Sequence, residues 1–148
     1  MASRTFTLHE AQQLLPILES LLRKASASKK RVEEIDAEFL KVNQRVMMHG
    51  GVQVDIVPLA RLRAERDKLS QTVTDTLAEI AATGVQVKDV ETGLLDFPCV
   101  VDGRVVLLCW KLGEEAITHW HGVDEGFRGR KPITEKIANA GRGRKKLQ

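Results

Sequence analysis

Small or apolar residues return along the first third of the chain at alternating steps of three and four: Ala11, Leu14, Leu18, Leu21, Ala25, Ser28, Val32, Ile35, Phe39, Val42 and Val46. This is the seam of an amphipathic helix with heptad spacing. Its start is marked by Thr7 and Glu10, spaced as a capping box in which two otherwise orphaned backbone N–H groups find partners. Phe6 stands where the outer half of a hydrophobic staple belongs, so the helix begins at Leu8. The stop is His49-Gly50-Gly51, which gives about forty residues and ~60 Å of helix. Pro16 lacks a backbone donor and crowds the turn before it, so a kink is expected near residues 12–16.

A second seam follows. Val52 to Val57 is a short connection, Pro58 suits a first helical turn, and Leu59, Leu62, Arg66, Leu69, Val73, Leu77 and Ile80 lead to Gly84 as the C-terminal stop. Two seams joined by a short reversal predict a long antiparallel helical hairpin, coiled-coil-like, over residues 1–83. The second helix is shorter, so residues 8–24 are left without a helical partner. The apolar stripe is widest there, through Leu14, Leu15, Ile17, Leu18, Leu21 and Leu22. Either the chain emerging after Gly84 or a second protomer has to cover it.

After Gly84 the period changes from helical to strand-like. Val85 to Lys88 reads as a strand, Glu91-Thr92-Gly93 as a turn and Leu94 to Val101 as a second strand. Asp102-Gly103 is a two-residue hairpin signal, and the run Arg104 to Lys111 is apolar enough for a central strand. Pro98 cannot donate to a ladder, so the second strand bulges there or shows that position to an edge. Leu112 to Glu115 turns the chain. Ile117 to His121 fits a strand or one helical turn equally, and Asp124 to Pro132 reads as an irregular loop anchored by Phe127. The expected fold class is α+β: the hairpin carries a small antiparallel β module, residues 84–133, of at least three strands, packed on the N-terminal part of helix one. Residues 134–148 form a basic tail expected to be disordered, and the whole is one folding unit.

Composition sharpens this picture. Of 148 residues 43% are hydrophobic and only 4% aromatic, with no Tyr, as expected for aliphatic helix packing in a globular protein. No stretch reaches the roughly 18 apolar residues of a membrane span and the N-terminus has no signal-like core, so a cytoplasmic protein without a membrane role is expected. Cys99 and Cys109 do not make a disulfide framework. The net charge of +3 is unevenly spread: from Arg128 onward eight Lys/Arg face Glu135 alone, whereas Gly84 to Phe127 sets three bases against eight acids. A basic tail after an acidic module suits a nucleic-acid contact, but Gly141, Gly143 and the lack of large apolar residues favour a solvated tail.

The segments LLDFP, LLCWKLGE, WH and DEGFRGRKPI, preceded by FTLHEAQ at the start, resemble the uncharacterised prokaryotic domain-of-unknown-function family 2203, with motifs GLVDFP, LCWRLGE, WHE and GFAGR. The resemblance runs from Phe6 to Ile133. It carries over to Asp96, Phe97 and Pro98; Trp110, Gly113 and Glu114; Trp120 and His121; and Gly126, Phe127, Gly129 and Arg130. Gly122 stands where the family has an acid after the histidine, and Arg128 replaces a small residue. The resemblance implies the fold and no reaction, and the missing acid argues against a His–carboxylate pair.

Candidate chemistry gathers in the β module. His119 and His121 share a face of an extended segment, and with Glu114, Asp124 or Glu125 they could hold a divalent metal; the alternative is a hydrogen-bonded structural His121. GFRGR could bind an anion through Arg128 and Arg130, or Arg130 could bridge to Asp124, Glu125 or Glu114. The cysteines, in apolar strands, read as buried and inert. A ligand site, if present, would draw on Asp96, Trp110, Glu114, Trp120, His121 and Arg130. No nucleotide loop, nucleophile elbow or zinc-ribbon spacing occurs. No cofactor is strongly implied. Two functions fit: a non-enzymatic homo-oligomeric or protein-binding module using the helical arm, or a small-molecule, anion or divalent-metal site, catalytic or not, around His121, Glu114 and Arg130.

Overall fold

The computed structural model describes residues 4–50 and 55–141. Helix α1 spans Leu8–Met48 and starts where the sequence places it: Thr7 Oγ1 accepts from Glu10 N at 3.1 Å, and Thr7 N donates to Glu10 Oε1 at 2.9 Å. Pro16 lies inside the helix without ending it. Helix α2 spans Ile56–Ala82, with Asp55 accepting from Val57 N at its start. It ends at Gly84, whose φ of 98° is one that side-chain-bearing residues rarely adopt. Of the expected connection Val52 to Val57, the part up to residue 54 lies outside the described residues, and Ile56 and Val57 already belong to α2. Arg31 Nε meets Glu65 Oε2 at 2.8 Å and Arg66 Nε meets Asp36 Oδ1 at 2.5 Å, so the helices are antiparallel neighbours.

Five strands follow as one antiparallel meander in chain order: β1 (Gln86–Asp89), β2 (Leu94–Val101), β3 (Arg104–Lys111), β4 (His119–Gly122) and β5 (Lys131–Pro132). The three expected strands are therefore joined by two more, and Ile117 to His121 resolves in favour of a strand. The β2–β3 turn has Asp102 at φ 51° and Gly103 at φ 75°, the paired positive values of a tight hairpin turn. It sets Val101 opposite Arg104 and, counting outward, Phe97 opposite Leu108 and Asp96 opposite Cys109. Pro98 lies beyond the reach of β1, whose pairing with β2 extends only to Asp96, and its carbonyl accepts from Phe6 N at 2.7 Å. The edge reading of Pro98 is thus the correct one. The irregularity in this sheet falls instead in β1, between Val87 and Asp89.

Alternation along β2 and β3 sends Leu95, Phe97, Cys99, Leu108 and Trp110 to one side of the sheet. There they share a core with Ala11, Leu15, Leu18 and Leu22 of α1 and Ile80 of α2. Phe6 joins it, its ring edge-on to Phe97 with centroids 5.7 Å apart. The overhang of α1 is thus covered by the sheet of its own chain, apart from Ile17, which stays exposed. The segment from 134, expected as a disordered tail, opens with a further short helix, α3 (Glu135–Ala138). It is held because Ile137, the last large aliphatic residue before the basic run, is buried in the same core. Residues 142–148, which hold the rest of the basic tail, lie outside the described residues.

Candidate functional site

The opposite face of the sheet is where polar chemistry collects. Asp96 on β2, Cys109 on β3 and His121 on β4 all point away from the helices, because each is out of phase with Phe97, Trp110 and Trp120. The segment after β4 folds back over them: one 3₁₀ turn at Phe127–Gly129 follows Glu125, whose carboxylate accepts from Gly122 N at 2.9 Å. Beneath it is a pocket of about 210 Å³ bordered by Lys88, Asp96, Cys109, His121, Glu125 and Phe127.

Asp96 and His121 are each only 2% exposed, and His121 Nε2 lies 3.1 Å from Asp96 Oδ1. On the other side of the ring, Nδ1 is 2.9 Å from the carbonyl of Gly122. A carbonyl can only accept, so Nδ1 carries a hydrogen, and one further proton is shared between Nε2 and the carboxylate. A His–carboxylate pair therefore exists although Gly122 replaces the acid expected after the histidine; the carboxylate comes from β2, 25 residues away. Cys109 lies beside it. Burial and then the nearby Asp96 charge push its thiol up to about 11, so it is a neutral thiol here and no ready nucleophile.

The remaining sequence candidates divide between the two faces. Trp110 is on the helix side, buried in the core, with its indole N–H donating to the Glu114 carbonyl at 2.9 Å. Trp120 packs against the same core under Lys131, and its indole nitrogen is buried without a hydrogen-bond partner among the described residues. Glu114 accepts from Lys111 N at 2.8 Å and from Arg130 Nη2 at 2.9 Å. Of the three acids open to Arg130, Glu114 is thus the one it bridges to. Burial pushes the Glu114 carboxyl up, but the Arg130 hydrogen bond, the Lys111 N–H and the guanidinium charge outweigh it and hold it below its usual range. Arg130 also lies 4.6 Å over the Phe127 ring, with its Nε buried and without a hydrogen-bond partner among the described residues. His119 Nδ1 lies 2.8 Å from the neighbouring Thr118 hydroxyl. His119, His121 and Glu114 do not converge as a ligand set. Among the described residues, the group of His, Cys, Asp and Glu whose donor atoms lie within 4.8 Å of one another is Asp96, Cys109 and His121. Both cysteines are buried, as the sequence indicated, but Cys109 lies on the face away from the helices, beside Asp96 and His121.

A family model described as an uncharacterized conserved protein (DUF2203) matches residues 4–133. The chain belongs to the DUF2203 family. The match covers both helices and all five strands of this DUF2203 protein. No curated protein and no solved structure matches it. Among the described residues of the DUF2203 chain, no helix is long and apolar enough to cross a membrane.

Proposed function

We propose that this protein is a non-enzymatic module that self-associates through the far end of its helical arm. One observation carries the reading: Leu40, Met47 and Met48 of α1 and Ile56 and Val57 of α2 are 58–79% exposed, in one region at the tip of the hairpin. The occupant is a second copy of this chain. Glu38 precedes Leu40 while Lys41 and Arg45 follow it, so two copies crossed antiparallel near Leu40 set acid against base in a two-fold contact. A cytoplasmic setting is supported by the two cysteines, both buried and unbridged and on opposite sides of the sheet. Light scattering and sedimentation at micromolar concentration should give a dimer mass that falls to the monomer in Leu40→Asp/Ile56→Asp. A monomeric wild type would sink the idea.

A second reading is favoured by the pocket on the outer face of the sheet, where a buried His–Asp pair borders a cavity of about 210 Å³. Such a concave site with convergent polar groups suits a small ligand. A thermal-shift screen of small anions and metabolite-like acids should then find a stabilising compound. Its effect should be lost in Phe127→Ala, which opens the pocket wall.

A further inference from the structure

We propose that Asp96, Cys109 and His121 bind a divalent transition metal of the zinc type. This deepens the second reading, on which it rests, by naming the ligand class. The donors are one oxygen, one sulfur and one nitrogen, all buried and within 4.8 Å of one another, a set matched to zinc or cobalt rather than to calcium or magnesium. Two N or O ligands at ~2.0–2.1 Å from a tetrahedral ion lie about 3.3 Å apart. The Nε2 to Oδ1 separation of 3.1 Å is already close to such an edge.

The partners of the two His121 ring nitrogens point the same way. With Nδ1–H committed to the Gly122 carbonyl, Nε2 directs its other position at an anionic oxygen, and a positive centre has to lie between them. A proton can fill that role, and so can a metal. A backbone carbonyl on the far nitrogen is the arrangement that orients metal-bound histidines. Charge fits as well: a carboxylate and a thiolate neutralise a dication, so the loaded site carries no net charge into a buried place. Loading displaces the thiol proton and the proton between Nε2 and Oδ1, both released to solvent. Three protein ligands leave one position open, and the pocket bordered by these same residues is where a water or small anion would take it.

The competing account is a proton-bridged His–Asp pair with a thiol packed beside it. Cobalt distinguishes the two. Tag-free full-length protein, stripped with chelator and titrated with Co²⁺, should take up one ion per chain. It should show the visible bands of four-coordinate cobalt and a near-ultraviolet sulfur-to-cobalt band, both displaced by Zn²⁺. Cys109→Ser should remove the sulfur band, whereas Cys99→Ala, on the helix side of the sheet, should keep it. Asp96→Asn and His121→Gln should each weaken binding by at least about 10–100-fold, the loss known for altered metal surroundings. Circular dichroism checks that each variant is folded, and the wild-type titration stands even where one is not. Folded wild type that takes up no cobalt, or a sulfur band that survives Cys109→Ser, overturns the site. The pocket reading fails separately, when the ligand screen on metal-free protein finds nothing.

Discussion

Helix α1 carries a single heptad seam into two different surroundings. In its first half Ala11, Leu15, Leu18, Leu22 and Ala25 are buried, with Leu14 and Leu21 half-buried beside them, because the sheet lies on one side of the stripe and α2 meets it near Ile80. In its second half α2 alone faces the seam: Ile35 is still fully buried, but Val32, Phe39, Val42 and Val46 are only half-buried, against half-buried Leu62, Leu69 and Val73 of α2. The hydrophobic pattern barely differs between the halves. What differs is the number of layers, so a heptad seam states which face of a helix is inward and leaves open how completely it is covered.

The largest effect that tests this contrast is Leu18→Ala at the base, expected to lose about 3–5 kcal/mol in urea melts because neighbours on both sides prevent collapse of the cavity. A loss near 1 kcal/mol would show that the sheet packs loosely on α1. Next is Arg130→Ala. Truncating one partner of the half-buried pair and uncovering Phe127 should lose about 2–3 kcal/mol. This loss has a pH signature: the Glu114 carboxyl is held below its unfolded value, so the pair's contribution is complete above that value and disappears as pH falls through the depressed one. The wild type and Arg130→Ala should therefore converge in stability in acid; a gap that stays constant would assign the loss to packing alone. Thr7→Ala, which removes the capping oxygen, should lose about 1 kcal/mol in thermal melts. The smallest effect belongs to the tip, where Leu40→Ser should stay within about 0.5 kcal/mol in chain stability. A large loss there at high dilution would mean that the distal half already has a cover within the chain.

Much of the fold was legible because its signals are local. The capping box, the glycine at 84, the Asp102-Gly103 turn and the two seams each act within a few residues, and each appears where its chemistry puts it. The site was harder, because it depends on which face of the sheet a residue takes. Cys99 and Cys109 look alike in an apolar run, yet the register sets Cys99 against Val106 and Cys109 against Asp96, on opposite faces. That signal was present in the turn: a two-residue loop at 102–103 fixes the pairing, and counting back from it brings Asp96 and Cys109 together. The place of His121 beside them could not be counted, because the irregular Leu112 to Thr118 stretch sets the register of β4. Trp110 and Trp120 drew attention as chemically capable residues and face the core instead, alternating with the polar set along the same strands.

The coverage of α1 by elements far along the chain also decides the order in which the protein can mature on the ribosome. Leu15, Leu18 and Leu22 are synthesised near the beginning, but part of their cover, Ile117 and Ile137, comes near the end. At about 5–20 residues per second, these leucines emerge several seconds before the last strands and α3 can reach them. During that interval the nascent hairpin presents a bare aliphatic stripe next to the one element that is already helical. Early emergence with late burial is a window for chaperone capture, and it makes the rate of elongation through the β module a determinant of yield.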